Sequence, residues 1–207
     1  MPFDEAAKFW NTRFDTHEYI FGTDANKYLT EKALKYFQKL QKVLCVADGE
    51  GRNSVWLASQ GMDVDAFDIS DIAIKKANEL AIQFGVSVRL YLKNTDEWDW
   101  KPNQYDGVVA IFVQFADPEM RVRLFRNMIH ALKAGGVLIL LGYSPKQLEY
   151  KTGGPSLLEH LYTEKLLREQ FSTYAEILEI ESWEEELSEG RRHSGMSALV
   201  GMVARKL

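Results

Sequence analysis

Residues 42–68 constrain the fold more than any other part of this 207-residue chain. They contain an apolar run (43–47), a tight turn with glycines at positions 49 and 51, a helical segment ending near Gly61, and a second extended run closing on Asp68. This order is typical of a strand–turn–helix–strand unit that holds a nucleotide-like ligand at the carboxyl ends of its strands. The sequence therefore predicts an α/β fold with a ligand site at this turn.

The two glycines and the carboxylate of Asp68 are the ligand-directed features of the unit. Glycine lets the backbone approach a ligand, and the N–H groups that open the helix after Arg52 offer donors to an anionic group. Asp68 stands where a carboxylate accepts hydrogen bonds from the hydroxyls of a ribose. A dinucleotide fingerprint needs a third glycine, whereas this chain has Ser54. The pattern favours an adenosyl cofactor; the alternative is an α/β turn whose glycines serve only backbone geometry.

Composition and charge exclude several classes of protein. The net charge of −5 argues against nucleic acid and anionic membrane surfaces as partners. The single cysteine, Cys45, leaves no internal disulfide and no cysteine-based metal site, and we expect no bound metal. No apolar run approaches the roughly 18 residues of a membrane span, and the first residues lack a signal-peptide pattern. We therefore expect a cytoplasmic protein that acts on a small molecule, as a monomer or a homodimer.

Helical and extended patterns alternate along the chain. The predicted helices cover residues 3–15, 27–40, 71–84 and 118–133, and the extended runs after Asp68 cover 86–93, 107–115 and 137–143. Two final extended runs, 175–187 and 197–206, have a connection short enough to force an antiparallel pair. The sequence thus predicts one α/β domain with a three-layer, doubly wound, mostly parallel seven-stranded sheet closed by an antiparallel hairpin. Within residues 1–207 we expect a helical lid region (1–41) and a cofactor-binding core (42–207).

Short motifs spread over nearly the whole chain resemble those of one enzyme family. They are FW-x-x-RF at 9–14, Y-x-F-G-T-x-x-N at 19–26, EGRN at 50–53, LKAGGVLIL at 132–140, TGGP at 152–155 and EGRRHSG at 189–195. In this order they resemble the class I, seven-stranded S-adenosylmethionine-dependent methyltransferases. Within that class the chain is similar to small bacterial tellurite-resistance-like and thiopurine-methyltransferase-like proteins. The resemblance implies S-adenosylmethionine as cofactor and S-adenosylhomocysteine as product.

The resemblance also implies which residues form the site. The expected cofactor-binding residues are Asp48, Gly49, Glu50, Gly51, Asn53, Asp68, Ile69, Asn94, Thr95, Asp96, Ile111 and Phe112. The expected lid residues are Trp10, Arg13, Tyr19, Phe21, Gly22 and Asn26; the alternative is that these rings only seal the N-terminal helices to the sheet. Cys45 and Ala47 depart from the family pattern, which has an acid and a glycine at these positions. We expect Asp48 or Glu50 to hold the methionyl amino group instead.

Methyl transfer is an in-line displacement that depends on alignment and on the exclusion of water. A soft nucleophile such as a thiolate or a chalcogen oxyanion needs no strong base, whereas an oxygen or nitrogen nucleophile needs one within reach. The catalytic candidates are Gln114, Tyr143 and His193, and Arg191 and Arg192 are candidates for holding an anionic substrate. The alternative for Arg191, Arg192 and His193 is a solvated hairpin turn without a role in the site.

Two other functions stay open beside methyl transfer. A non-catalytic module that binds S-adenosylmethionine or S-adenosylhomocysteine fits the departures at Cys45 and Ala47. A nicotinamide dehydrogenase fits the general α/β pattern, but Ser54 and the closing hairpin disfavour it. The segment IFVQFADP lacks the N-P-P-Y-like turn of amino-methylating DNA enzymes. We therefore expect methyl transfer to a small-molecule acceptor, such as a thiol or a chalcogen oxyanion.

Overall fold

The computed structural model describes residues 3–191 and 193–207. The helices are α1 (Phe3–Phe14), α2 (Lys27–Tyr36), α3 (Arg52–Ser59), α4 (Asp71–Phe84), α5 (Pro118–Ala131), α6 (Gln147–Tyr150) and α7 (Glu164–Phe171), with a 3₁₀ turn at Leu158–His160. The strands are β1 (Lys42–Val46), β2 (Asp63–Asp68), β3 (Arg89–Leu92), β4 (Tyr105–Ile111), β5 (Leu132–Tyr143), β6 (Ala175–Glu189) and β7 (His193–Lys206). Across the described residues, no helix combines the length and apolarity needed to cross a bilayer.

The seven strands form one sheet in the order β3-β2-β1-β4-β5-β7-β6. Strands β1 to β5 pair in parallel, whereas β7 runs antiparallel to both β5 and β6. Helices α3, α4 and α5 connect β1 to β2, β2 to β3 and β4 to β5, which imposes parallel pairing there, whereas a loop without a helix connects β3 to β4. The short β6–β7 connection imposes the antiparallel pair at the other end. The predicted fold class is confirmed.

Helices cover both faces of the sheet because its central strands are apolar on both sides. Leu44 of β1 faces a cluster that includes Leu124 of α5 and Leu167 of α7. Its neighbour Val43 faces the opposite cluster, which includes Leu29 of α2. This alternation follows the two-residue period of a strand, and burial on both faces is what a central parallel strand requires. Helix α2 is thus part of the core. Of the predicted lid region, residues 3–26 remain available to cover the carboxyl ends of the parallel strands.

The predicted helix 27–40 ends early, at Tyr36. Phe37 leaves the helix in an extended conformation, and its ring packs where a Cβ on Gly107 would come within 2.6 Å. The spacing of Leu29, Ala33, Phe37 and Leu40 predicts that all four face the core, but Leu40 is 87% exposed. The helical spacing of apolar residues correctly predicts that Phe37 is buried. It wrongly predicts that Phe37 belongs to the helix.

Other element boundaries also differ from the predictions. The strand expected over 107–115 ends at Ile111, because Phe112 has a left-handed backbone (φ 58°) that turns the chain out of the sheet. The helix expected to end at residue 133 ends at Ala131, and β5 starts directly after it, at Leu132. The strand expected over 86–93 is confined to Arg89–Leu92, at the edge of the sheet.

The β6–β7 hairpin is longer than expected, and it extends over the site. Its pairing continues up to Glu189 opposite His193. Strand β5 pairs with β7 only as far as Tyr143 opposite Leu199. Residues 193–198 therefore project past the carboxyl end of β5. His193, expected in a charged turn, is the first residue of a strand and is buried.

Candidate active site

The turn from Ala47 to Gly51 joins β1 to α3 and requires unusual backbone angles. Ala47 has a positive φ of 48°, at the position where the resembled family carries glycine. Gly51 has a φ of 90°, and a Cβ on it would lie 2.7 Å from Cβ and 2.8 Å from Cα of Ala77 in α4. Only glycine avoids both the strain and the collision. Gly51 therefore allows α3 and α4 to pack closely at the turn.

Asp68 ends β2 beside this turn and shapes it. Its carboxylate accepts hydrogen bonds from the N–H groups of Gly49 and Ser70, both at 2.9 Å. Burial raises the pKa of Asp68 to about 6, although these N–H groups oppose the shift. Asp68 thus combines the position expected of a ribose-binding acid with a role in holding the glycine turn.

Asp48 is a second carboxylate in the same turn. It accepts a hydrogen bond from the hydroxyl of Ser54, in the first turn of α3. Burial raises the pKa of Asp48 to about 7, and the nearby charge of Asp68 adds to the shift. Burial makes it costly to ionise both carboxyls at this turn. A positively charged ligand would offset that cost, so the turn favours a cation.

The loop after β3 lies next to Asp68, because the N–H of Lys93 donates to the carbonyl of Asp68 at 3.0 Å. Asn94 uses its amide oxygen to accept from the N–H groups of Asp96 and Glu97, both at 2.9 Å. Asp96 itself is exposed. Thr95 is buried, and its hydroxyl has no hydrogen-bond partner among the described residues. Of the three residues expected here, Thr95 is the one with an unused buried polar atom, which fits the polar edge of a ligand.

Residues 3–26, the lid segment, lie against the glycine turn, where a buried ion pair anchors them. Glu50 accepts the N–H of Ile20 at 2.8 Å and pairs with Nζ of Lys76 at 2.5 Å. Nζ of Lys76 also donates to the carbonyls of Phe14, Thr16 and Glu18. We expected Glu50 to bind the cofactor, but its carboxylate is committed to the lid segment.

A second anchor joins the lid segment, α3 and the hairpin. Arg52 donates to the carbonyl of Phe21 at 3.1 Å and pairs with Glu189 at 2.8 Å. Asn26 donates from its side chain to Glu189 at 2.8 Å, and its N–H donates to the side-chain oxygen of Asn53 at 3.0 Å. Asn53, expected at the cofactor, is therefore a lid anchor in this structure.

The lid residues expected from the sequence all lie in this segment, and the contacts differ along it. Trp10 stacks on Phe14 with ring centroids 5.6 Å apart, and the guanidinium of Arg13 lies over the ring of Phe9 at 4.2 Å. The ring of Phe14 is the nearest group to Gly49, 3.6 Å from where a Cβ would stand. Phe14 therefore covers the glycine turn, a role that sequence reasoning missed.

The rest of the lid segment contacts α4 and the hairpin. The hydroxyl of Tyr19 donates to the carbonyl of Lys76 at 3.0 Å. Gly22 lies against the hairpin turn, where a Cβ on Gly190 would stand 2.5 Å from the nitrogen of Gly22. The lid segment and the hairpin turn therefore touch through their backbones.

Aromatic side chains meet where β4, β5, β7 and the lid segment come together. Phe112 stacks on Tyr143 at 4.7 Å, and its edge meets His193 at 4.4 Å. Phe21 of the lid segment lies 4.5 Å from His193. The hydroxyl of Tyr143 is buried and has no hydrogen-bond partner among the described residues. We call these four side chains the aromatic cluster.

Phe112 is the strained member of the aromatic cluster. A left-handed backbone at a bulky residue is unusual and costs about 1–2 kcal/mol. Such strain persists where the surroundings hold it, often at functional sites. Ile111 and Ile69, also expected at the cofactor, lie partly buried at the ends of β4 and β2.

The side chain of Gln114, a catalytic candidate from the sequence, makes hydrogen bonds only to backbone groups among the described residues. Its amide oxygen accepts the N–H of Tyr143 at 2.6 Å, and its nitrogen donates to the carbonyls of Tyr143 and His160, both at 2.9 Å. The side chain is buried and occupied by backbone groups, so it positions the end of β5. Arg191 is exposed and pairs with Glu18 of the lid segment at 2.8 Å, while Arg192 lies outside the described residues.

Part of this chain is similar in sequence to known methyltransferases. Residues 43–136 match the family described as "Methyltransferase domain". Thiocyanate methyltransferase 1 from Arabidopsis thaliana is 30% identical over 118 residues, which are 56% of this chain and 51% of that protein. The chain thus spans about half the length of the curated relatives it matches.

Solved structures share the fold over most of the chain. An S-adenosylmethionine-dependent methyltransferase from Methanosarcina mazei has a TM-score of 0.71 at 22% identity, covering 89% of this chain and 99% of that one. TehB from Haemophilus influenzae has a TM-score of 0.70 at 21% identity, covering 97% of this chain and 67% of that one. The strand order and these structures show that the chain has the fold of the class I methyltransferases, and residues 43–136 within it match a methyltransferase-domain family.

Proposed function

We propose that this chain transfers a methyl group from S-adenosylmethionine to a small sulfur or other chalcogen nucleophile. The observation that carries the proposal is the aromatic cluster beside the glycine turn, at the carboxyl edge of the parallel strands. Its ring centroids are 4.4 to 5.8 Å apart, so the rings pack in contact, which favours a small acceptor at their edge over a large one. Enclosure by apolar rings excludes water, which methyl transfer requires.

The name of the related proteins supports a sulfur acceptor. Those proteins are called thiocyanate methyltransferases, and thiocyanate is a small nucleophile that contains sulfur. A soft nucleophile of this kind needs alignment more than activation. The acidic cofactor turn and the apolar cluster suit a small acceptor better than a polymer.

The cofactor supplies an activated methyl group, and the residues at the turn fit its parts. Asp68 would hold the ribose hydroxyls, and the unused hydroxyl of Thr95 would meet the adenine. Cys45 is buried within β1 and Glu50 is committed to Lys76, so Asp48 is the carboxylate left in the turn for the methionyl ammonium. Gly49 and Gly51 would bring the backbone close to the ligand.

Cofactor affinity should depend on pH through the two turn carboxylates. Asp48 and Asp68 have pKa values raised to about 7 and about 6, so both lose protons as the pH rises through neutrality. We expect the affinity for S-adenosylmethionine to increase between about pH 5.5 and 8, by up to tenfold per unit while one group is titrating. Calorimetric titrations across this range measure the effect. A constant affinity would contradict the assignment of these carboxylates to a cationic ligand.

The raised pKa values of Asp48 and Asp68 affect the stability of the ligand-free protein in the opposite direction. A carboxyl whose pKa is higher in the folded state favours folding while it is protonated. Its contribution is complete below about pH 4, the unfolded pKa, and is lost as the pH rises through the folded pKa. As the pH rises between those limits, we expect the contribution of these two carboxyls to folding stability to decrease while the affinity for the cofactor increases.

Methyl transfer is tested by the release of S-adenosylhomocysteine in the presence of acceptors. We would supply alkyl thiols, aryl thiols, thiocyanate and selenite to the purified protein with S-adenosylmethionine. Acceptor-dependent product release at a saturable rate supports the proposal. Tight cofactor binding without turnover of any acceptor would instead favour a non-catalytic binding module, the function suggested by Cys45 and Ala47.

A further inference from the structure

Glu189 lies at the centre of a buried polar group between α3, the lid segment and the hairpin. Its carboxylate accepts from Arg52 and from the side chain of Asn26, each at 2.8 Å. The same oxygen that contacts Arg52 lies 3.6 Å from Nδ1 of His193. Because Arg52 and His193 hold it charged, the pKa of Glu189 is lowered to about 2 in spite of its burial.

The position of this carboxylate decides which nitrogen of His193 carries the proton. Nδ1 is buried and has no hydrogen-bond partner at shorter range among the described residues. A lone pair on Nδ1 would face a negative carboxylate, whereas a proton on Nδ1 is attracted to it. Neutral imidazole therefore carries its proton on Nδ1, which leaves the lone pair on Nε2.

The surroundings of His193 also keep it neutral. Burial lowers the pKa of His193, and the charge of Arg52 adds to the shift, while Glu189 opposes both. Among the described residues, the titratable side chain of Tyr143 also packs against the ring, with ring centroids 5.8 Å apart, and burial raises the pKa of that phenol. At neutral pH the ring is therefore unprotonated on one nitrogen, inside the aromatic cluster where the acceptor would stand.

We propose that Glu189 is a positioning residue that directs Nε2 of His193 to take the proton of an acceptor that arrives as a neutral thiol. This inference rests on the proposed methyl transfer and narrows its acceptor class to protonated sulfur nucleophiles. In the step, the S–H proton passes to Nε2 and sulfur keeps the electron pair. That pair would form the new bond to the methyl carbon while the bond from this carbon to the cofactor's sulfonium sulfur breaks and its electron pair stays with the cofactor. The imidazolium then returns its proton to solvent when the site opens.

The test compares two acceptors that differ in their need for a base. An alkyl thiol has a pKa near that of cysteine, about 8.5, and is mostly protonated at neutral pH. An acidic aryl thiol is mostly ionised there and needs no base. For His193→Gln we expect kcat/KM to fall by about 10²–10⁴ with the alkyl thiol and by less than about tenfold with the aryl thiol.

For Glu189→Gln we expect a loss on the order of 10–100-fold for the alkyl thiol alone, because the wrong tautomer of His193 becomes populated. The pH profile of the alkyl-thiol reaction should lose its His193-dependent limb in His193→Gln and keep it in Glu189→Gln, where the limb should move to lower pH because Glu189 no longer raises the pKa of His193. His130→Gln and Glu186→Gln change exposed residues outside the site and serve as matched controls. Equal losses with both thiols would indicate a merely structural role and overturn the proposal.

Nitrogen NMR of ¹⁵N-labelled histidine in the unmodified protein gives a readout that does not require activity or any change at Glu189. We expect His193 to carry its proton on Nδ1, and a proton on Nε2 would overturn the proposal. Turnover of the aryl thiol but not of the alkyl thiol by the unmodified enzyme would also overturn it and leave methyl transfer intact. If neither thiol nor any other acceptor is methylated, the proposed function is wrong, and the tautomer alone decides the role of Glu189.

Discussion

Replacement of Glu50 by alanine should lower the free energy of unfolding by about 3 kcal/mol or more and detach the lid segment from the glycine turn. The carboxylate is buried and paired with Lys76 at 2.5 Å, and it also accepts the N–H of Ile20. Removing one partner of a buried ion pair leaves the other charge uncompensated, which costs about 3–5 kcal/mol. The melting temperature of a domain of this size should fall by roughly 10 °C.

Thermal and urea unfolding of Glu50→Ala measure this loss. Glu79→Ala, an exposed glutamate on the same helix as Lys76, is the matched control and should change stability by less than about 0.5 kcal/mol. The double variant Glu50→Leu with Lys76→Met removes both charges and should lose much less than the sum of the two single changes. A Glu50→Ala protein as stable as the control would contradict the anchoring role of the pair.

Replacement of Gly51 by alanine should cost about 2–5 kcal/mol. The positive φ of 90° accounts for about 1–2 kcal/mol at a non-glycine residue, and the collision with Ala77 adds an overpacking cost of about 1–3 kcal/mol. Gly85→Ala is the control, because Gly85 has a φ of 66° with no atom within 4 Å of an added Cβ. That change should cost only the backbone part, about 1–2 kcal/mol.

The difference between these two alanine variants isolates the contact between the glycine turn and α4. Ala77→Gly, combined with Gly51→Ala, removes one of the two colliding atoms and should recover part of the loss. Equal effects of Gly51→Ala and Gly85→Ala in urea unfolding would show that the turn tolerates a side chain at position 51.

The local pattern of the sequence predicts the framework of the fold. The alternation of apolar runs and helical stripes up to Tyr143 determines a parallel sheet, and the short β6–β7 connection determines its antiparallel end. The glycine turn and Asp68 are predicted correctly as neighbours because both follow strands that pair in parallel. These inferences use residues that are close in the chain or placed by strand order.

The polar contacts of the site are not predictable in the same way. Asn26 meets Glu189 across 163 residues of sequence, and Glu50 meets Ile20 across 30. No local pattern distinguishes a glutamate that anchors a lid from one that faces a cofactor, so the contacts of Glu50 with Lys76 and Ile20 could not be predicted. The burial of His193 was missed for a related reason, since the length of a hairpin depends on pairing that a charged EGRRHSG turn does not reveal.

We propose that the turn from Ala47 to Gly51, with Asp68, binds S-adenosylmethionine. Calorimetric titration of the purified protein with S-adenosylmethionine, S-adenosylhomocysteine and NAD tests it most directly, with Asp68→Ala as the variant. We expect micromolar binding of the first two ligands, about −8 kcal/mol, and none of NAD. Asp68→Ala should weaken both by about 1–3 kcal/mol. No binding of either adenosyl ligand, or an unchanged affinity in a folded Asp68→Ala protein, would contradict the claim.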